Sequence, residues 1–340
     1  MNRKTLVSAL MIGTLALPLW ASEVDSFTGR RPLRDAAPLL NEVVNVWMEQ
    51  AMNDANEPTL LAQITGEAAA QCDSARLISS LNRRLAGYLI GEVERFANES
   101  TSIDKIKVPF EQSIYRDFEF TESPTIRLTK RLGVLLRLGD VHVGSDKFGH
   151  FFSEGYSYYE LYTDDDPHSA IEYGKLTEET YYGELTTGVF SYADLVANIN
   201  GLRFWNAVLG RQTDPITPDV PVKPYFACRE GLWYKQRRFD WLDYVDPAWD
   251  EAVNCDAFRD RNLLEKADRR IREATGGLRC PLHPAPIPRL QRKYGRLLAT
   301  LFNPDGNRVN VEDLQPGFIA YWESILSHRS KPGETIPVER

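Results

Sequence analysis

The chain has 340 residues, 43% of them hydrophobic and 26% charged, which is enough apolar material for one large domain or two ordinary ones. Its 40 basic and 48 acidic residues leave a net charge of −8. That balance argues against nucleic acid or an anionic lipid surface as a partner held by general electrostatics.

The first 21 residues have the three parts of a cleavable secretory signal peptide: Arg3 and Lys4, then Leu6 to Leu19 without an ionisable residue, then Leu19-Trp20-Ala21 before Ser22. The apolar run is too short to cross a bilayer, which takes about 20 residues, and no later stretch matches it. The sequence therefore predicts an exported chain, periplasmic or secreted, with no transmembrane segment after cleavage. Removing Arg3 and Lys4 leaves 38 basic residues against 48 acidic, a sharper excess of negative charge.

Residues 22–102 read as an N-terminal helical layer. Leu39, Leu40, Val43, Val44, Val46, Trp47 and Met48 recur with helical spacing between Ala36 and Ala55, and Pro38 suits a first turn. Further helices are expected over 60–71 and 75–98. Residues 103–145 read as an extended arm or small sheet, with β-type alternation at Val108-Pro109-Phe110, Phe118-Glu119-Phe120 and Thr125-Ile126-Arg127-Leu128. A helical core is expected over 146–330, with helices at 146–162, 177–210, 256–274, 288–302 and 315–327. The second of these breaks near Gly188 to Ser191, where Ser191 and Asp194 resemble a capping box. Residues 212–254, rich in proline and aromatics, read as an irregular wrap, and 331–340 as a loose tail. The fold expected is thus mainly α, a compact helical domain with irregular aromatic-rich and short extended segments.

Cys72, Cys228, Cys255 and Cys280 can pair in an oxidising compartment, and four cysteines allow three pairings. Cys255 with Cys280 is favoured, because the two bracket one helical stretch and a Gly-Gly turn. A buried free thiol stays open for Cys72, and no C-x-x-C spacing supports a zinc ribbon or a redox motif.

Candidate chemistry is densest between Gly139 and His150. Asp140, His142, Asp146 and His150 are candidate ligands of a divalent metal, and His150 with Asp146 is a candidate acid–base pair. On a helix begun at Ser145, Asp146, His150, Ser153, Glu154, Ser157 and Glu160 form one polar stripe. Phe148, Phe151, Phe152, Tyr156, Tyr159 and Tyr162 lie opposite. The stripe either lines a cleft or simply faces water. Asp194 and Asn198 share a stripe on an otherwise apolar helix, and a buried carboxylate needs a partner, so they are expected to face His150 or Lys147 across a helix pair. In the alternative reading Asp194 only caps its helix.

The other signals are weaker. Asp164-Asp165-Asp166 lacks the EF-hand pattern, His283 and His328 read as loop and tail residues, and Glu178, Glu179 and Glu184 read as an exposed face. Trp233, Trp241 and Trp249 form either a ring-stacking platform for sugar or peptidoglycan or the buried anchors of the wrap. No hydrolase elbow, zincin, Walker or dinucleotide motif occurs.

The run Ser145-Asp146-Lys147-Phe148-Gly149-His150-Phe151 resembles the Asp-Lys-x-x-His-Phe signature of several families of poorly characterised bacterial envelope proteins, some of them small exported lipoproteins and others membrane proteins of the VanZ-like type. The likeness covers one helix and implies an envelope role without a reaction. Two functional classes follow: a periplasmic binding or assembly protein that holds an envelope component or protein partner, or a metal-assisted hydrolase of an envelope lipid or peptidoglycan-derived substrate. In the second, Asp146 and His150 would be ligands or the acid–base pair, with Asp194 orienting them.

Overall fold

The structure, a computed structural model, describes residues 23–58, 72–87, 91–162, 166–180 and 183–310. The expected signal peptide, the helices at 60–71 and 315–327, most of the Asp164–Asp166 run, His328 and the tail all lie outside these residues.

What is described is mainly helical, with short strands. Helix α1 (Ala37–Asn56) starts on Pro38 and buries Leu40, Val44, Met48, Ala51 and Ala55, one face of a 3.6-residue period. The helix expected over 75–98 is two helices, α2 (Ser74–Leu85) and α3 (Glu92–Glu99), because the chain turns at Gly87, where φ is +72°. The expected small sheet exists: β1 (Ile106–Lys107), β2 (Val134–Leu138) and β3 (Val141–Gly144) pair antiparallel in the order β1-β2-β3. Thr125 to Leu128 is not extended, however. It lies in a short helix, α4 (Pro124–Thr129), whose proline occupies the first turn.

The segment expected as one regular helix over 146–162 has three parts. Helix α5 (Asp146–Gly149) runs into a π turn (His150–Glu154) and then into α6 (Gly155–Leu161). The Gly155 amide donates to the His150 carbonyl, five residues back, so one extra residue is held inside the helix. Helix α7 (His168–Glu179) follows. The chain then turns through 183–188, makes strand β4 (Val189–Phe190), and enters α8 (Tyr192–Leu209). Ser191 Oγ accepts the Asp194 amide at 3.3 Å and Gly210, at φ +62°, ends the helix, so the expected start and stop both stand.

The wrap at 212–254 is less irregular than its composition implies. It holds a hairpin of β5 (Phe226–Arg229) and β6 (Leu232–Lys235), followed by two short 3-10 turns that contain Trp241 and Trp249. Beyond it, β7 (Ala257–Phe258) joins β4 antiparallel and β8 (Arg308–Val309) parallel. Helices α9 (Arg261–Thr275), α10 (Ile287–Tyr294) and α11 (Leu298–Leu301) lie between β7 and β8, and the helix expected over 288–302 is broken at Gly295.

Helix α8 is buried almost all round, as expected of a helix at the centre of a core. Packed on it is an aromatic cluster in which the Phe151 ring centroid lies 4.8 Å from Phe152, 5.5 Å from Phe204, 5.0 Å from Trp241 and 5.1 Å from Tyr244. Trp233, Trp241 and Trp249 are all buried, which makes them anchors of the wrap and removes the ring-stacking platform. Two disulfides form: Cys255–Cys280, as favoured from sequence, and Cys72–Cys228, so Cys72 is not a free thiol. Two disulfides point to an oxidising compartment. Among the described residues no helix is long and apolar enough to cross a membrane.

Candidate functional site

At the contact of α5, the π turn and α8 lies a buried charged centre. Lys147 is wholly enclosed, and its Nζ lies 2.8 Å from Asp146 Oδ2 and 2.5 Å from Asp194 Oδ1, with Glu251 Oε1 as a third carboxylate partner. Burial opposes a charged amine, but the carboxylates of Asp146, Asp194 and Glu251 outweigh it and hold Lys147 well above the usual lysine range. Each partner is placed by its own local device. The Ser191 cap sets the register that turns Asp194 inward. Glu251 is held by Ser26 Oγ, which donates to its Oε2 at 2.7 Å, next to the bidentate pair of Arg30 with Asp250.

One turn beyond Lys147, His150 lies between two sets of acceptors. Its Nε2 is 3.1 Å from Asp194 Oδ2, whereas Nδ1 is 3.0 Å from Glu154 Oε1 and 3.2 Å from Asn198 Oδ1. Asn198 Nδ2 in turn donates to Glu154 Oε2 at 3.1 Å. Burial disfavours a charged ring, yet Asp194 and Glu154 overcome it and raise His150 well above the usual imidazole range. Asp194 shows the reverse. Burial would raise it, but His150 and Lys147 pull it well below the usual carboxylate range. The expectation that Asp194 and Asn198 meet His150 or Lys147 across a helix pair is met by both residues, and the reading in which Asp194 only caps α8 fails. The polar stripe does not simply face water either: Asp146 and His150 are each only 5% exposed.

Around these two cations the carboxylates are in excess. Glu23, Glu178 and Asp256 are buried as well. Burial, with Asp194 beside it, raises Glu178 well above the carboxylate range. Burial and Glu251 do the same to Asp256, and burial brings Glu251 itself to about 7. Glu23 is pushed up to about 8 by burial and by the charges of Asp194 and Glu251, against a hydrogen bond with Thr187. Its proton is therefore held in the folded chain and lost in the unfolded one between about pH 4.5 and pH 8. Stability accordingly falls as pH rises through that window, by about 2 kcal/mol between pH 5 and pH 7 from this residue alone. Denaturant unfolding at those two pH values is expected to show the slope in the wild type and a flatter one in Glu23→Gln. Parallel slopes would dismiss Glu23 as the cause.

Not every predicted residue reaches the centre. His142 lies on β3 beside Val143, and successive strand residues point to opposite faces. Val143 takes the core side, while His142 Nε2 sits 3.2 Å from the Arg31 carbonyl oxygen. With Asp140, which lies in the β2–β3 turn, His142 lines a surface cleft of about 450 Å³ that also includes Arg30, Arg31, Asp250 and His283. Among the described residues, neither His142 nor Asp140 belongs to a group of three ligand atoms suited to a metal. Two such groups exist among the described residues, Asp146 with His150 and Asp194, and His150 with Glu154 and Glu178, each with its ligand atoms within 4.8 Å of one another. Glu178 and Glu184, expected on an exposed face, are buried, because the turn after α7 folds the chain back so that the Glu184 amide donates to the Glu178 carbonyl.

Comparison with protein-family models, with curated proteins and with solved structures returned no match.

Proposed function

We propose that the chain is an exported protein of the bacterial envelope that acts as a binding or assembly factor, with a helical core closed around a centre that takes a small divalent cation. The observation that carries this reading is the enclosure of an acid-rich centre. Lys147, Asp146, His150, Asp194 and Glu178 are at most 5% exposed, yet the carboxylates outnumber the two cations among them. Buried carboxylates without counter-charge must hold protons or meet a cation, since an isolated buried charge is too costly. An ion fits such a centre, whereas His150, only 5% exposed among the described residues, offers little surface to an envelope lipid or a peptidoglycan fragment. The enclosure therefore favours binding over the hydrolase alternative. The two disulfides and the signal-like first 21 residues support export.

Elemental analysis of the protein purified from the periplasm tests the reading. About one divalent ion per chain is expected in the wild type and none in His150→Ala. Zinc, manganese, iron and calcium all near zero in both would overturn it.

A further inference from the structure

Resting on that reading, we infer that the cation binds on the Nδ1 side of His150, with His150, Glu154 and Glu178 as its protein ligands and Asp194 as the residue that orients the ring, and that it is a divalent first-row transition metal. The two candidate groups around His150 are not equivalent. On the Nε2 side, Asp146 and Asp194 already share a cation, the Lys147 ammonium at 2.8 and 2.5 Å. A metal on those oxygens would sit against the buried like charge of Lys147, which is 0% exposed and so poorly screened by solvent. Among the described residues, Nδ1 faces Glu154 and Asn198 and no such ammonium. There Glu154 Oε1 is 3.0 Å from Nδ1, and one ligand atom each of His150, Glu154 and Glu178 lie within 4.8 Å of one another.

Glu178 points independently to a ligand. It is 1% exposed, and among the described residues its Oε2 has only a long contact of 3.5 Å with the Ser191 amide and its Oε1 has no hydrogen-bond partner. A buried carboxylate oxygen left in that condition is costly, and a bound cation removes the cost. The opposite ring nitrogen completes the pattern. A metal-binding imidazole commonly donates its other N–H to a carboxylate, which fixes the tautomer, and Nε2 stands 3.1 Å from Asp194 Oδ2. Once the ion displaces the Nδ1 proton of His150, one neutral imidazole and two carboxylates balance a charge of plus two and suit zinc, manganese or ferrous iron, with water filling the open positions. Asn198 Oδ1, 3.2 Å from Nδ1, is the neighbouring neutral oxygen on the same side. The π turn contributes by placing His150 and Glu154 at its two ends with their side chains in contact.

The test is calorimetric titration of chelator-treated full-length exported protein with zinc chloride and with manganese chloride. Wild type, Glu178→Gln, Glu154→Gln and Asp146→Asn are compared, with circular dichroism as the check on folding. The wild type is expected to bind one ion, Glu178→Gln and Glu154→Gln to lose at least about a hundredfold in affinity, and Asp146→Asn to stay within a few-fold. Nitrogen NMR of the histidine ring should place the bound zinc on Nδ1. Binding lost in Asp146→Asn but kept in both glutamine variants, or zinc on Nε2, overturns this assignment while leaving cation binding intact. Absence of binding in the folded wild type overturns both. Should either glutamine variant fail to fold, the other together with the ring nitrogen assignment decides.

Discussion

Replacing Lys147 with Met is expected to cost about 3–5 kcal/mol of unfolding free energy, among the largest losses available to a single substitution here. The side chain is fully enclosed and lies against three carboxylates from three parts of the chain: Asp146 beside it, Asp194 on α8 and Glu251 after the second 3-10 turn. Methionine fills nearly the same volume, so the loss arises from charge. Without the ammonium, Asp194 keeps His150 as a counter-ion, but Asp146 and Glu251 must be protonated or remain unpaired away from water. Two comparisons give the prediction its edge. Lys147→Met combined with Asp146→Asn and Glu251→Gln should recover a substantial part of the loss, because the stranded charges are gone while the shape is retained. The same two carboxylate changes made alone should themselves destabilise. Urea unfolding of all three proteins measures this. A loss below about 1 kcal/mol for Lys147→Met, or no recovery in the triple variant, would mean that the ion cluster contributes little to the fold.

How far this centre can be read in the sequence depends on how local its determinants are. Asp146 and His150 are four apart on one helical face, and Ser191 sets the register of Asp194 and Asn198, so their convergence follows from spacing, capping and the cost of an unpaired buried carboxylate. Lys147 is different. It lies off the polar stripe of a regular helical wheel, and its partner Glu251 is 104 residues away, placed by Ser26 from the start of the described chain. No local pattern reports such a contact. The π turn leaves no mark either, because it is a backbone defect of one residue in an otherwise helical sequence. Glu178 was hidden by company: among Glu179 and Glu184 it looks like part of a solvated charge run, and only the return of the chain through 183–187 buries it. His142 is close to His150 in sequence, but strand alternation sends it to the other face of the sheet. The helical class, the small sheet and the Cys255–Cys280 pair were legible because each rests on periodicity or short separation. The Cys72–Cys228 pair spans 156 residues and was not.

Gly201→Ala is expected to destabilise by about 3 kcal/mol or more, although the same change inside an ordinary helix stabilises by about 1 kcal/mol. The reason is a backbone-to-backbone crossing of α8 with the π turn. A Cβ on Gly201 would come 2.0 Å from the Phe151 carbonyl oxygen and 2.8 Å from Gly155 Cα, and a Cβ on Gly155 would come 2.5 Å from Gly201 Cα. No flexible side chain is available to move, so the two elements must separate. The contacts that lie across this crossing are those of the centre: His150 Nε2 to Asp194 Oδ2 at 3.1 Å, His150 Nδ1 to Asn198 Oδ1 at 3.2 Å, and Trp205 Nε1 donating to the Phe152 carbonyl at 2.9 Å. The first two already sit at the long end of hydrogen-bonding range, and a separation of about 1 Å breaks them. The loss therefore combines overpacking with the stranding of buried charged groups, each worth about 1.5–3 kcal/mol, and both exceed the gain in helix propensity. Chemical unfolding of Gly201→Ala against wild type measures the balance. A midpoint that is unchanged or raised would show that propensity dominates and that the close approach of α8 to the π turn does not hold His150 in place.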